Sequence, residues 1–353
     1  MTGAGTALVL GSSGVTGTPF CEQLLAAGWK VYGVSRRRPD LDGKIPQQAF
    51  VHLAVDLEDG DAVRDAVRGA PGITHVFHCA NAGGDAIRLK IMSNLLDALE
   101  TLPRFRNINL LQGMKYYGCQ RGPFPTPARE IDPRLADSPF YYAEEDLVRT
   151  RQAGRAWTWT AIRPHSVCGY APGNPLNLAL VLAVYAALRR ERGEPLWFPA
   201  SSACFASLFQ VMDADILARA AIFIASTPAC ANNAFNVSNG DIFRWRTLWP
   251  SFAKFFDLRA EGPGQKPLAD FLAANRDTWD ALAARCGLRP FPIERAPAWV
   301  RGDYRAPDSR FACEYDLISD TVKLRRAGFC EAVGSEEMFL RLFARYRDAR
   351  LIP

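Results

Sequence analysis

"TALVLGSSGVTGTPFCEQLLAAGWKVYGVSR", Thr6 to Arg36, decides the fold. "TALVL" is a short apolar run rich in β-formers, and "GSSGVTG" follows it. "PFCEQLLAAGW" then repeats apolar Phe20, Leu24 and Leu25 at helical spacing and stops at Gly28, before "KVYGVSR", a second buried-strand run. Strand, glycine turn, helix and strand within about thirty residues is the context in which a glycine fingerprint is more than a turn. Gly11, Gly14 and Gly17 form GxxGxxG, with Val15 and Thr16 between the last two. Such a turn lets backbone N–H groups approach a pyrophosphate, whose charge the helix N-terminus then favours.

The alternation continues outward. "FVHLAVD" (Phe50 to Asp56) and "ITHVFHCA" (Ile73 to Ala80) read as strands on either side of a helix around Val63 to Val67. A long helical pattern runs from Ala86 to Leu102, and "NINLLQ" (Asn107 to Gln112) is a fifth strand. Residues 113–138 are rich in Pro and Gly, and a loop that long inside a compact domain tends to be functional. The helix in "SPFYYAEEDL" and a sixth strand, "WTAIRP", come next. The expected fold class is α/β, a Rossmann-type doubly wound parallel sheet. Beyond Gly169 the pattern is mixed: apolar helices at 174–190, 213–226, 246–257 and 267–286, with strand-like pieces such as "AFNVS" between them. The expected division is residues 1–170 as an NADP-binding Rossmann domain and 171–353 as a smaller mixed lid over the substrate, whose strand pieces can return to the main sheet.

Bulk properties narrow the classes further. A chain of 353 residues buries roughly three quarters of its unfolded surface, so its core needs no staples. With 48% apolar and 22% charged residues it has ordinary globular proportions, which excludes disorder as the main state. Nine scattered cysteines, odd in number and never spaced as CxxC, read as reduced thiols of a cytoplasmic protein, and four dispersed histidines argue against a zinc site. A net charge of +5 is too weak a signal for nucleic acid. The opening residues lack a basic-then-apolar leader and no apolar run approaches membrane-spanning length, so no membrane partner is expected.

The second strand ends "SRRRPD". Ser35, Arg36 and Arg37, followed by Arg38, stand where an NAD site would offer an acid to the ribose 2'-hydroxyl. Guanidinium groups there suit a 2'-phosphate, so NADPH (NADP) is the expected cofactor, although three arginines at a strand end also fit plain surface. Asp56 and Leu57 are placed to contact the adenine, or Asp56 caps a loop. Small residues of "HCANAG", among them Cys79, Ala80 and Asn81, would let a dinucleotide lie against the backbone; Asn81 equally suits a turn, and His78 reads as a packed histidine. Gln112 and Val167, near the ends of the fifth and sixth strands, complete the expected cofactor set.

Tyr141 and Tyr142 are each followed four residues on by an acid, Glu145 and Asp146. A reductase tyrosine is expected to have a lysine one helical turn on, and none is present. Lys115, in "LLQGMKYYG", lies just past the fifth strand, and chemistry in open α/β sheets gathers beyond the carboxyl ends of strands. The missing charge can therefore arrive from the neighbouring strand end. Both tyrosines also fit an amphipathic helix burying aromatics, and the two acids read as capping, solvating or pairing groups.

Across nearly its whole length the chain resembles an extended short-chain dehydrogenase/reductase, and within that superfamily the progesterone 5β-reductase and iridoid synthase-like enone reductases. The matching residues are "GVTG" (14–17), "WKVYGVSRR" (29–37), "THVFH" (74–78), "GMKYYG" (113–118), "GPF" (122–124), "FYYAEED" (140–146), "RPHSVCGYAPGNPLN" (163–177), "AFNVSNGDIFRW" (234–245) and the terminal "LIP". The resemblance implies NADPH-dependent reduction of the C=C bond of an activated enone by 1,4-hydride addition, with Tyr141 and Lys115 as catalytic residues that stabilise the enolate. It also implies a small apolar enone or carbonyl substrate and, at family level only, a homodimer. Tyr116 replaces a histidine usual after the lysine, and "FASLFQ" replaces an aromatic and acidic segment, which bears on the substrate. Phe124, Leu176, Phe205 and Phe209 are candidate pocket walls that ordinary core packing would equally explain. Competing readings are 1,2-reduction of a ketone or aldehyde, and a non-catalytic NADP-binding sensor or scaffold.

Overall fold

Side chains of β1 (Thr6–Leu10) alternate between two apolar layers. Ala7 and Val9 join Phe20 and Leu24 of α1 (Gly17–Ala26), and Leu8 and Leu10 face the opposite layer. In this computed structural model residues 5–43, 48–80, 84–136, 140–172, 177–264, 267–291, 293 and 313–353 are described. The chain continues through β2 (Lys30–Val34), β3 (Phe50–Leu53), α2 (Gly60–Arg68), β4 (His75–His78), α3 (Asp85–Leu99), β5 (Asn107–Leu111), α4 (Phe140–Gln152) and β6 (Thr158–Pro164). The second half supplies β7 (Ser166–Cys168), α5 (Leu178–Glu191), β8 (Leu196–Phe198), α6 (Ser202–Ala206), β9 (Leu208–Phe209), β10 (Val211–Asp213), α7 (Ala214–Ser226) and β11 (Asn233–Val237). It ends with β12 (Phe243–Arg244), α8 (Trp245–Phe255), β13 (Ala260–Pro263), α9 (Leu268–Ala274), α10 (Arg276–Cys286), α11 (Val322–Arg326) and α12 (Ser335–Asp348).

Seven parallel strands form the central sheet in the order β3-β2-β1-β4-β5-β6-β11. Both faces are covered, which is why its inner strands read as continuous apolar runs. Val63 and Val67 of α2, Met92 and Leu95 of α3 and Val148 of α4 lie on one face. On the other, Phe20 and Leu24 of α1 pack with Ile216, Leu217, Ala220 and Ile224 of α7. Thus α7 and β11, both from the second half, belong to the layers of the main sheet. Strand order reverses between β1 and β4, and doubly wound sheets bind ligands beyond the carboxyl ends at such a point.

A separate core unites α5, α8, α9, α10 and α12 around Trp245, Trp249, Phe252, Phe339 and Phe343. Two sequence expectations change here. The single helix expected over 267–286 is two, because the Asn275 side-chain amide donates to the Phe271 carbonyl at 2.7 Å while its backbone N–H falls back to Leu272 at 3.3 Å. A side chain that takes a helical carbonyl competes with the next turn. The second is α12, absent from the helices expected, although its Met338, Phe339, Leu342, Phe343 and Tyr346 are all buried at helical stagger.

Candidate active site

Beyond the ends of β1 and β4 the glycine turn is bare backbone. Gly11 has φ +76°, its N–H donates to the Val34 carbonyl at 2.8 Å, and a Cβ on it would lie 2.8 Å from Ala80 Cα. The turn therefore presses against Cys79–Ala80 at the end of β4, an approach only glycine permits. A Cβ on Gly17 would lie 2.1 Å from the Gly11 carbonyl oxygen, and one on Gly169 would lie 3.0 Å from that of Val15. Thr16 at the start of α1 makes no side-chain cap, and the turn is closed on itself: the Gly14 N–H donates to the Gly11 carbonyl and the Thr18 N–H to the Gly14 carbonyl, both at 3.0 Å, which shapes the backbone into a cradle at the helix start. This cradle fits a dinucleotide pyrophosphate.

At the end of β2, Ser35 Oγ donates to the Arg37 carbonyl at 2.6 Å and lies 2.7 Å from Ser12 Oγ. Ser12, wholly buried, ties the glycine turn to that strand end, a role the glycine pattern alone does not reveal. Arg36 and Arg37 are exposed and make no ion pair among the described residues, whereas the Arg38 guanidinium sits 5.5 Å over the Phe50 ring. The Asp56 carboxylate accepts from the Glu58 N–H at 3.0 Å, a local turn, and Leu57 packs against the α2/α3 layer. Burial lowers His78 to about 4 and pushes the Cys79 thiol up. Asn81 lies outside the described residues.

Past β5 the chain runs through Gln112 and Gly113 into one 3-10 turn, Met114–Tyr117, which carries half-buried Lys115. Gly113 is extended, and a Cβ there would lie 3.4 Å from the Tyr141 hydroxyl oxygen. The phenol of Tyr141 thus crosses from α4 to the carboxyl end of β5, two residues before Lys115. Tyr142 points elsewhere. Its hydroxyl donates to the Tyr116 carbonyl at 2.7 Å and accepts from the Leu135 N–H at 3.1 Å, and its ring meets that of Tyr116 at 4.7 Å.

Beneath this mouth lies a buried polar network. Arg163, 2% exposed, donates from Nε to Gln112 Oε1 at 2.8 Å, from Nη1 to the Tyr117 hydroxyl at 3.1 Å and from Nη2 to Glu145 Oε2 at 3.2 Å. Its guanidinium stacks 3.3 Å from the Tyr116 ring centroid. Gln112 Nε2 donates to Glu145 Oε2 at 2.9 Å, so both ends of the Gln112 amide are engaged inside the protein. Glu145 Oε1 accepts from Arg134 at 2.9 Å, and the Tyr117 hydroxyl donates to Asn236 Oδ1 at 2.6 Å. Burial raises Tyr117 to about 12, which keeps it a donor. Sequence reasoning did not find Arg163, Arg134, Tyr117 or Asn236. One signal was available: an arginine inside the buried strand "WTAIRP" requires partners.

Of the candidate walls, Phe124 is half-buried and edge-on to Tyr315 at 6.4 Å, and Phe205 lies 4.7 Å from Phe198. Phe209 sits within the aromatic core against Phe243, Trp245 and His165. Val167 is half-buried in β7, paired with Met212 of β10. Leu176 lies outside the described residues. All nine cysteines are free, no group of metal-ligating side chains occurs among the described residues, and no helix among them is long and apolar enough to cross a membrane.

A PRISE-like Rossmann-fold domain matches residues 74–353, and the NAD dependent epimerase/dehydratase family matches residues 7–121. The chain belongs to the PRISE-like Rossmann-fold family. Its relatives include an (S)-8-oxocitronellyl enol synthase of Antirrhinum majus, 28% identical over 98% of this chain and 92% of that protein. A 3-oxo-Delta(4,5)-steroid 5-beta-reductase of Arabidopsis thaliana is 27% identical over 98% and 93%. Among solved structures, Thermus thermophilus UDP-glucose 4-epimerase in complex with NAD superposes with a TM-score of 0.67 at 20% identity, covering 98% of this chain and 99% of that one, which establishes the shared fold. This PRISE-like chain is of the oxidoreductase class, with an NAD(P)-binding Rossmann fold of the short-chain dehydrogenase/reductase type.

Proposed function

We propose that this protein reduces the C=C bond of an activated enone with NADPH. Tyr141 donates a hydrogen bond to the carbonyl oxygen on which enolate charge develops, and Lys115 offsets that charge. The observation that carries the reading is the Tyr141 hydroxyl beside Gly113, two residues before Lys115, at the carboxyl end of a central strand. When bound, the reduced dinucleotide supplies a hydride from C4 of its nicotinamide to the β-carbon. A phenol with an ordinary pKa of about 10 stays protonated at neutral pH. As a neutral donor beside an ammonium it favours the enolate over the ground-state carbonyl.

Exposed Arg36 and Arg37 support NADPH over NADH, because each offers a planar fork to a 2'-phosphate. Backbone of the glycine turn, with Val15, Thr16, Cys79 and Ala80, would hold the rest of the dinucleotide. Phe124 and Phe205 give the substrate side an apolar character. Relatives named for 8-oxocitronellyl enol synthesis and for reduction of a 3-oxo-Delta(4,5)-steroid support a carbonyl conjugated to the bond that is reduced. Tyr116, in place of the histidine expected there, packs between Arg163 and Tyr142 and serves the fold.

The test is NADPH oxidation by purified protein against cyclic and acyclic enones, aldehydes and ketones, with deuteride carried on C4. Deuterium on the β-carbon is the expected result. Deuterium on a carbinol carbon would replace this reading by 1,2-reduction, and tight NADPH binding without turnover of any compound would replace it by a binding role.

A further inference from the structure

Glu145 stands one helical turn beyond Tyr141, and its carboxylate turns inward to meet Arg163 from β6 and Gln112 from the end of β5. Arg163 in turn grips both residues that follow Lys115, stacking on Tyr116 and donating to Tyr117. One ion pair therefore ties together the helix that carries Tyr141 and, from both sides, the short segment that carries Lys115. It is almost wholly buried, with Arg163 2% and Glu145 3% exposed.

Stability alone is a poor account of such a pair. Two desolvated charges often stabilise a fold no better than apolar side chains of equal volume, whereas removal of one partner strands the other. What a fork-shaped, multiply bonded arginine gives that apolar packing does not is fixed direction. Here the directions it fixes are those of Gln112, Tyr116 and Tyr117, which bracket Gly113 and Lys115.

We propose that Arg163 and Glu145 are positioning residues that hold the Tyr141 phenol and the Lys115 ammonium in register across the α4/β5 junction. This inference rests on the reading of Tyr141 and Lys115 as the reacting pair. Neither Arg163 nor Glu145 touches substrate; their effect passes through the residues they hold.

The experiment compares Glu145→Gln, Arg163→Met and the double variant Glu145→Leu/Arg163→Met with the parent. Three quantities are read: Tm, steady-state kinetics with an enone the parent reduces, and the ionisation of Tyr141 in cofactor-free protein. The last is isolated by subtracting the ultraviolet phenolate titration of each background carrying Tyr141→Phe. Each single variant should lose both Tm and kcat. The double variant should regain part of the Tm, since the buried guanidinium and carboxylate leave together and Arg134 keeps Asp146 while the Gln112 amide loses both partners, yet keep a kcat deficit of about 30- to 100-fold, the loss expected from a misplacement of about 1 Å. Its KM for NADPH should stay within about 3-fold of the parent, because a lost orientation acts mainly on the transition state. The Tyr141 midpoint should rise by about 0.5 to 1 pH unit as the ammonium drifts from the phenol.

Recovery of kcat together with Tm, or a Tyr141 titration unmoved in every variant, would overturn the assignment. If the double variant does not fold, the charge-neutral pair Glu145→Gln/Arg163→Gln carries the same titration. If the parent reduces no enone, the proposed reaction fails, and the titration still decides whether this ion pair sets the surroundings of Tyr141.

Discussion

Tyr141 and Tyr142 are adjacent, and exchanging each for phenylalanine separates chemistry from support. On the proposed reading, Tyr141→Phe removes one hydrogen-bond donor from the developing enolate. Loss of such a donor costs about 3 to 4 kcal/mol, so kcat should fall by roughly two to three orders of magnitude. Tyr141 is half-buried against the cluster of Met114, Tyr116, Tyr117 and Tyr142, and phenylalanine keeps that ring packing, so Tm should change by no more than about 1 to 2 °C. Tyr142→Phe acts differently. Its hydroxyl, in a residue 4% exposed, bonds the Tyr116 carbonyl at 2.7 Å and the Leu135 N–H at 3.1 Å, and both backbone groups would lose that partner. At about 1 to 2 kcal/mol per stranded neutral backbone group, the loss is roughly 2 to 4 kcal/mol. An unfolding entropy of about 2.1 cal/mol/K per residue over 353 residues converts this to a Tm lower by about 3 to 6 °C. Turnover should fall less than about 10-fold, because no transition-state donor is removed. Thermal melts and NADPH-oxidation kinetics on the two variants decide the matter. The reverse pattern, with Tyr142→Phe inactive and Tyr141→Phe unstable, would refute the assignment of roles.

Two further expectations concern charge. Arg36→Ala with Arg37→Ala removes two exposed guanidiniums from the end of β2; at about 1 kcal/mol per lost contact, the ratio of kcat/KM for NADPH over NADH should fall roughly 30-fold with NADH kinetics unchanged, and an unaltered ratio would remove these arginines from the cofactor site. Burial raises the Glu144 carboxyl to about 7, opposed by Arg88 and helped by Asp85, and its Oε1 has no hydrogen-bond partner among the described residues. Because the folded state holds this proton more tightly than the unfolded chain, the associated stability is present below about pH 4.5 and is lost as pH rises through about 7. Glu144→Gln should therefore match the parent near pH 4.5 and exceed it by about 2 to 3 kcal/mol at pH 8, seen as a Tm gap that widens with pH; parallel Tm curves would contradict the burial argument.

Strand and helix order was legible because a parallel sheet covered on both faces writes its strands as apolar runs, and β1 with its glycine turn is the plainest case. The need for glycine at two turn positions was legible too, since a Cβ added to Gly11 or Gly17 would lie within 3 Å of neighbouring backbone. What pattern could not give is the partner of a buried charge. Glu145 meets Gln112 across 33 residues and Arg163 meets Gln112 across 51, and such separations are set by packing, not periodicity. The 267–286 helix shows the same limit in reverse: nothing in its spacing says that the Asn275 amide turns back onto Phe271 and ends one helix before the next begins.

The absent lysine now has a physical explanation. Position 145 faces inward, between the Arg163 guanidinium, bonded to Glu145 at 3.2 Å, and that of Arg134 at 2.9 Å. An ammonium there would meet two like charges at short range, each repelling it by about 4 kcal/mol at 4 Å in a medium of effective dielectric near 20. A carboxylate at the same place neutralises one guanidinium and shares the other with Asp146. The face of α4 one turn beyond Tyr141 is thus spent on joining strand ends to helix, and the cation must come from another element. On the proposed reading Lys115 would supply it, from the short segment whose next two residues, Tyr116 and Tyr117, Arg163 stacks on and bonds.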